Sequence, residues 1–507
     1  MIYLSRTDNA WYNGAKKDMG RDGVLKGFKR NFKPLEVLSE GQIDDIEKGA
    51  FEILEKTGLK FEGDQKKALS IYKAAGCRVD SENGMVRFPP GLVKECITTC
   101  PSNIHVEARD PSNDMAVGGD RVYFQPGPGM WYLDLDTLDT RLPTRDEFYD
   151  AVKVYDALPN LHFFHGNSPN TNMEGVHPLM STIETYAARA RCSTKVNIFY
   201  PALGNHRFNI EIARVVCATG LSGIGAASPL TWSDDAISTG MHAVEAGVPL
   251  IAASGSVWGA SSPASIAGEL VTNVAESLGP LILAQLMSPG HPMIPGSFTF
   301  PMNMRTGDPL FGNITIALAT AGLNQFWRRH RIPTQLIEAA IPNSKCMDFQ
   351  SGYEKGMLAL IQAISGGAIV WIHGTVYGEL TAHPVQAVLD DDIAGMVGRF
   401  LEGVDVSEDA LAVQLIEDVG PIPGFFLDKE HTRKWWKQSQ YVPQSADTLN
   451  LAEWKSTGRL STLDHAKRRM HELLDIHQVS RPLTEGQEED IETILADARP
   501  FYHKRMN

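Results

Sequence analysis

One arrangement recurs eight times along the middle of this 507-residue chain: a short apolar run ends in glycine, proline or a small polar residue, and a helical pattern follows. The alternation of strand and helix predicts a parallel sheet. Eight repeats predict closure into a (β/α)8 TIM barrel, an α/β fold. The runs are VYFQPG (122–127), HFFHGN (162–167), KVNIFYP (195–201), GIGAASP (223–229), PLIAASG (249–255), MIPGSF (293–298), TQLIEA (334–339) and AIVWIHG (368–374).

An open, doubly wound sheet is the alternative architecture. It is disfavoured because no GxGxxG follows the first run, and the QPGPGM there is too rich in proline to begin a helix. Outside the repeats the sequence predicts only helices and irregular chain. It therefore divides into an irregular basic arm (1–35), an N-terminal helical region (36–116), a TIM-barrel catalytic domain (117–402) and a C-terminal helical extension (403–507).

Composition excludes several classes of protein. A formal net charge of −14 argues against a nucleic-acid binder. The six cysteines form no CxxC pair and no Cys/His spacing, which favours a reducing compartment and predicts neither disulfides nor a metal site. No signal peptide and no long uninterrupted apolar run is present, so we expect a cytoplasmic protein away from the membrane.

In a TIM barrel the active site lies at the carboxyl ends of the strands. The polar residues predicted there are mostly neutral, and aromatic residues are abundant around them. Few basic residues disfavour a phosphate substrate, whereas aromatic faces with an acid are typical of quaternary-ammonium recognition through cation–π attraction. The predicted substrate-binding residues are Tyr123, Phe124, Gln125, Trp131, Asn167, Ser256, Trp258, Phe298 and Tyr377.

Glu338 and His373 are the predicted catalytic residues. A carboxylate on a buried strand is costly unless it is paired or functional, which favours a role for Glu338. His373 and the strand-end His165 are equally compatible with satisfied core histidines, and Trp131 with simple hydrophobic cover of the barrel. Neither histidine lies in an HExxH pattern, so no metal is predicted.

Several long collinear segments resemble the trimethylamine:corrinoid methyltransferase family, over residues 36 to about 480. They include GASSPASIAGELVTNVAESLGPLILAQLMSPG (259–290), DFQSGYEKGMLALIQAISGG (348–367) and VLDDDIAGMV (388–397). The resemblance implies a TIM barrel that passes a methyl group from an amine to the Co(I) of a separate corrinoid protein. It implies no tightly bound cofactor, since the partner protein supplies the cobalamin.

One departure from the family pattern bears on the substrate. The founding trimethylamine enzymes carry a pyrrolysine where this chain has Ala340 or Ile341. Members without it are similar enzymes that demethylate quaternary amines such as glycine betaine, proline betaine, carnitine or γ-butyrobetaine. The resemblance therefore implies a quaternary amine here, with Glu338 facing the nitrogen. Candidate donors to a substrate carboxylate are Asn167, Ser256, His373 and Arg305.

Four other functions stay open at this point. They are trimethylamine demethylation, methyl transfer from a sulfonium, a betaine-binding protein without catalysis, and an unrelated barrel lyase or hydrolase. We also expect a homo-oligomer, because barrels with long appended helices often form symmetric assemblies.

Overall fold

The computed structural model describes residues 26–200, 204, 206–336 and 340–506, with the side chains of 503–506 left out. Most of the predicted basic arm, residues 1–25, lies outside this range. The strands in chain order are β1 (Phe28–Lys29), β2 (Leu59–Phe61), β3 (Arg78–Asp80), β4 (Met85–Arg87), β5 (Asn103–Val106), β6 (Met115–Gly118), β7 (Arg121–Pro126), β8 (Trp131–Leu133), β9 (Thr140–Arg141), β10 (Ile198–Phe199), β11 (Leu221–Gly225), β12 (Thr231–Trp232), β13 (Leu250–Ser254), β14 (Val257–Trp258), β15 (Met293–Ser297), β16 (Phe300–Pro301), β17 (Gln335–Leu336), β18 (Ile369–His373) and β19 (Thr381–Ala382).

The α-helices alternate with the main strands and then fill the C-terminal extension. Several begin at side-chain caps, such as the capping box of Thr144 and Glu147. In chain order they are α1 (Glu40–Glu52), α2 (Lys66–Ala74), α3 (Pro90–Thr99), α4 (Arg145–Ala157), α5 (Ser181–Cys192), α6 (His206–Val215), α7 (Asp234–Glu245), α8 (Ile266–Met287), α9 (Ile314–Arg329), α10 (Phe349–Ile364), α11 (Pro384–Leu401), α12 (Glu408–Leu411), α13 (Val413–Val419), α14 (Glu430–Ser439), α15 (Leu451–Ser456), α16 (Thr462–Ile476) and α17 (Glu485–Met506).

A curled eight-stranded sheet forms the centre of the fold. Its order is β1-β7-β18-β17-β15-β13-β11-β10, and all its described pairs are parallel except β1 with β7. Seven of the eight predicted runs are strands of this sheet. The mixed α/β class and the strand–helix alternation predicted from the sequence are therefore confirmed.

The predicted full closure into a TIM barrel is wrong for this structure. The second predicted strand, 162–167, makes a single bridge between Phe164 and Asn197, and its link to β7 is one backbone bond from His162 to the Phe124 carbonyl. Strand β1 pairs with the first half of the same β7 edge. In the second half the Phe124 N–H donates to the His162 ring instead of to a strand carbonyl. A regular ladder consequently cannot form there.

The N-terminal region is not purely helical as predicted. Its helices α1–α3 accompany a small sheet of order β12-β2-β4-β3 and a hairpin of β5 with β6. The strands have only three or four residues, too few for an alternation that stands out in the sequence. The C-terminal extension is helical, and its helix α16 shares a buried core with α4 and α11.

The inner face of the curled sheet begins as a hydrocarbon layer. Alternate strand residues such as Ile251, Ile294 and Ile369 point inward near the amino ends of the strands. The β5–β6 hairpin packs Ile104 and Val117 across this layer. The amino-terminal end of the inner face is thereby filled with apolar side chains.

Helix α8 is the one described helix long and apolar enough to cross a membrane, and most of that apolar stretch is buried inside the fold.

Candidate functional site

Aromatic rings meet on the inner face at the carboxyl ends of the strands. The ring of His165 lies 4.4 Å from those of Tyr200 and Trp371, measured between centroids. Phe298 lies 6.2 Å from Trp371 and 4.9 Å from Phe300. The chain of contacts continues outward through Phe311 to Tyr377. We call this set the aromatic cluster: His165, Tyr200, Phe298, Phe300, Phe311, Trp371 and Tyr377.

Polar groups with no described partner lie beside the aromatic cluster. Both polar atoms of Gln125, Nε2 of His165, Nε2 of Gln335 and Nε1 of Trp371 are buried without a hydrogen bond among the described residues. The Tyr200 hydroxyl donates to Oε1 of Gln335 at 3.4 Å. Such groups are ordinarily satisfied in proteins, so these five atoms are free to bind a polar ligand or water.

The hydrogen bonds of His165 fix which ring nitrogen carries the proton. The Asn167 N–H donates to its Nδ1 at 3.2 Å, so Nδ1 is the acceptor and Nε2 the N–H donor. Burial and then the charge of Arg189 hold the pKa of His165 well below its usual range. His165 is therefore a neutral donor at pH 7.

Glycines on β11 and β15 allow close packing on the sheet. A Cβ on Gly223 would lie 2.3 Å from Cε1 of Tyr200, and one on Gly296 would lie 2.9 Å from Cβ of Ala253. A Cβ on Gly225, two residues further along β11, would have no atom of a non-adjacent residue within 4 Å. Gly223 thus gives the Tyr200 ring its place against β11, and Gly225 leaves open space beyond it.

Gly223 and Gly225 provide a matched test of this packing. We expect Gly223→Ala to lower the free energy of unfolding by about 1–3 kcal/mol, because the Tyr200 ring must shift. Gly225→Ala should leave stability unchanged or raise it by about 0.4–1 kcal/mol, because it only restricts the unfolded chain. Urea denaturation measures both changes, and equal effects would contradict the placement of Tyr200.

Two buried carboxylates of helix α8 organise the neighbouring strand ends. Glu276 accepts from the Ser228 and Ser254 hydroxyls, at 2.7 and 2.6 Å, and from the Leu230 N–H at 2.7 Å. Glu269 accepts from Ser256 at 2.7 Å, and burial raises the pKa of Glu269 to about 7. These carboxylates tie the loops after β11 and β13 to α8.

The pKa of Glu269 predicts a pH dependence of stability. Because its folded pKa lies above the unfolded value, the folded state binds more protons between about pH 4.5 and 7. Its contribution therefore destabilises the fold progressively as pH rises through that window, by at most about 3 kcal/mol. The Glu269→Gln variant should lack this contribution, so the difference between the wild-type and variant stability curves, measured by denaturation from pH 4.5 to 8, should change with pH through that window. A parallel pair of curves would contradict the assignment.

Of the two predicted catalytic residues, the structure describes only His373. Glu338 lies outside the described residues. His373 is fully buried, and its Nε2 lies 3.4 Å from Oδ1 of Asp391 on α11. His373 thus faces an outer helix and not the aromatic cluster.

Three of the predicted aromatic contacts lie apart from the aromatic cluster. Tyr123 belongs to the hydrocarbon layer, and its hydroxyl accepts from the Ala116 N–H of the hairpin at 2.9 Å. Phe124 points to the opposite face, against α10 and α11. Trp131 is 41% exposed on β8, which pairs with β19.

The other predicted substrate-binding residues lie either in the hydrophobic core or at the aromatic cluster. The Ser256 hydroxyl is committed to Glu269, and Trp258 packs into the large core around α8. Asn167, through its N–H, fixes the His165 ring. Gln125, Phe298 and Tyr377 lie in or beside the aromatic cluster, and Lys345 covers the Tyr377 ring with Nζ 4.4 Å from its centroid.

Sequence reasoning missed Trp371 and Gln335, which the structure places at this site. The available signal was strand alternation, since Trp371 follows the inward Ile369 by two residues. It also missed Glu379 in the loop after β18, where burial raises the pKa of the carboxyl to about 7. A loop carboxylate gives no periodic signal.

Known methyltransferase sequences match this chain over most of its length. The sequence model of the family described as Trimethylamine methyltransferase (MTTB) matches residues 6–498. The glycine betaine methyltransferase of Desulfitobacterium hafniense (strain Y51) is 29% identical over 454 residues, covering 86% of this chain and 92% of that protein. The trimethylamine methyltransferase MttB of D. hafniense (strain DSM 10664 / DCB-2) is 26% identical over 480 residues, covering 92% and 94%.

A solved structure gives a more distant likeness. The monomethylamine methyltransferase MtmB of Methanosarcina barkeri aligns with a TM-score of 0.45 at 14% identity, covering 87% of this chain and 95% of that one.

Proposed function

Because this chain belongs to the trimethylamine methyltransferase (MTTB) family and is thus a methyltransferase, we propose that its methyl donor is a quaternary amine. Glycine betaine is the first candidate, followed by carnitine, γ-butyrobetaine and proline betaine. The proposed acceptor is Co(I) of a corrinoid carried by a separate protein, which makes that protein a partner.

The observation that carries the proposal is the side chain at the family's pyrrolysine position. Ile341 packs against Phe300 and Trp371, and Ala340 packs on the other side of the sheet. Both are inert hydrocarbon, so neither can activate a tertiary amine. A tertiary amine would leave as an amide anion, whereas a quaternary ammonium leaves as a neutral tertiary amine and needs no such activation.

The aromatic cluster suits a permanent cation. Trp371, Phe298 and Phe300 present π faces in a buried setting, where cation–π attraction reaches about 2 kcal/mol per contact. An ordinary ammonium group would need hydrogen-bond acceptors for its N–H groups. A trimethylammonium group has no N–H, so it needs only aromatic faces and the exclusion of water.

Catalysis in this proposal comes from positioning. In it, the aromatic cluster desolvates the donor and holds one methyl group toward the carboxyl ends of the strands, where the acceptor attacks in line. Orientation of this kind can supply about 7–11 kcal/mol of the barrier. No general acid is required, which is compatible with His373 facing Asp391.

The decisive experiment is a donor screen with free Co(I) cobalamin as acceptor. Methylcobalamin formation is followed by absorbance with glycine betaine, the other betaines, trimethylamine and dimethylsulfoniopropionate. We expect one of the betaines to be the best donor. Preference for trimethylamine or the sulfonium would contradict the proposal, and binding without transfer to any corrinoid would indicate a betaine-binding protein.

A further inference from the structure

We propose that Gln125, His165 and Trp371 form a subsite for the carboxylate of the methyl donor, so that the site selects a zwitterion over a simple quaternary cation. This inference rests on the proposed function. It replaces two of the four donors expected from the sequence, since Ser256 is bound to Glu269 and His373 faces Asp391.

Gln125 lies on β7 and Trp371 on the adjacent strand β18, and His165 lies in the segment that follows α4. Gln125 and Trp371 are paired in the parallel ladder of β7 with β18, so their side chains emerge side by side. The His165 ring lies 4.4 Å from the Trp371 ring. All three side chains are at most 2% exposed, which places the subsite deep in the inner face.

The unmet hydrogen-bonding groups are mainly donors. An indole N–H can only donate, and Nε2 of His165 is a donor because Nδ1 accepts from Asn167. The Gln125 amide adds two further N–H donors. A carboxylate has acceptor sites for all of them, whereas a hydroxyl or a methyl group does not.

A buried positive charge lies behind the subsite. Arg189 is 1% exposed and donates to Oδ1 of Asn197 at 2.8 Å and to the Ser168 carbonyl at 3.0 Å, both neutral acceptors. Among the residues that the structure describes, no carboxylate lies within ion-pair distance of it. Burial lowers the pKa of Arg189 to about 9, so it stays charged at pH 7. The positive charge of Arg189 also lowers the pKa of His165, so its electrostatic potential extends to the subsite and favours binding of an anion there.

The two ends of a betaine then match the two ends of the site. The carboxylate lies among the buried donors, and the trimethylammonium group lies against Phe298 and Tyr377, which are only partly buried. This order places the N-methyl groups at the less buried end of the site, on the side from which a protein-bound acceptor would approach.

Gln125→Leu is the first test, with calorimetric titration of glycine betaine, choline and tetramethylammonium. Wild type should bind glycine betaine at least tenfold more tightly than choline, which has the same head group with a hydroxyl in place of the carboxylate. In the variant, glycine betaine should bind about 10- to 100-fold more weakly. Affinity for choline and tetramethylammonium should change less than about threefold. The thermal midpoint should hold or rise, because the variant removes an unsatisfied amide.

His165→Phe should have the same selective effect, and His291→Phe is its matched control. His291 is also a buried histidine with an unpartnered Nε2, but it lies at the amino end of β15. Replacing it should leave glycine betaine affinity unchanged. A merely structural role for buried histidines would give both variants the same effect.

The outcomes separate this inference from the proposed function. If wild type binds tetramethylammonium and choline as tightly as glycine betaine, the carboxylate subsite is refuted while the quaternary-amine function stands. Equal losses for all three ligands in Gln125→Leu would also refute it. If wild type binds none of these ligands and none of the other betaines in the donor screen, the proposed function itself fails.

Discussion

Replacing Lys355 with methionine is expected to lower the free energy of unfolding by about 3–5 kcal/mol, among the largest effects of any single substitution in this chain. Lys355 is fully buried, and its Nζ donates to Oδ2 of Asp390 at 2.7 Å and to the Ile372 carbonyl at 2.8 Å. Without it, the Asp390 carboxylate is left buried and uncompensated. Urea denaturation at pH 7 measures the loss.

A double substitution tests the reason for that loss. Lys355→Met with Asp390→Asn should recover part of the stability, because no buried charge remains. Asp390 also accepts from the N–H of Gly374, at the end of β18, so the recovery should be incomplete. Lys60→Met, which removes half-exposed Lys60 from its pair with Glu62, should leave the midpoint unchanged. An additive double variant would contradict the ion-pair explanation.

Trp371→Leu is expected to weaken tetramethylammonium binding about 30-fold, the value of one desolvated cation–π contact. The side chain touches both His165 and Phe298, so it stands between the two ends of the proposed site. Calorimetric titration measures the change, and kcat/KM with the best betaine should fall at least as far.

Trp371→Phe is the control, because it keeps a π face and loses only the indole N–H. It should bind tetramethylammonium within a few-fold of wild type while binding glycine betaine clearly more weakly. If leucine and phenylalanine at 371 gave the same tetramethylammonium affinity, the aromatic face would have no role in holding the cation.

The repeated strand–helix pattern predicted most of the fold. A buried parallel strand can be identified from a few neighbouring residues, because it is a short apolar run that ends in glycine or proline. The family resemblance and the methyltransferase activity are likewise confirmed by the family match. Failure to close the sheet was not predictable in this way. It depends on β1, a two-residue strand that shares the edge of β7, and on the His162 ring, which accepts from Phe124.

The candidate site was predictable only as a region. Gln125 and Phe298 follow from the rule that strand ends carry function, whereas Tyr123 lies in the hydrocarbon layer because it is two residues nearer the amino end of β7. Phe124 points outward because strand side chains alternate. The roles of these residues, the part played by Glu338 and the homo-oligomer stay predictions.

The β5–β6 hairpin has a kinetic consequence. Its apolar side chains fill the inner face at the amino ends of the strands. In the proposed function, the small donor, the demethylated amine and the acceptor protein would therefore all approach the aromatic cluster from the carboxyl ends of the strands. Turnover should then follow a compulsory order in which the donor enters before the acceptor docks, and the demethylated product departs only after the acceptor has withdrawn. Saturating amounts of the acceptor protein should therefore slow catalysis by trapping the donor outside.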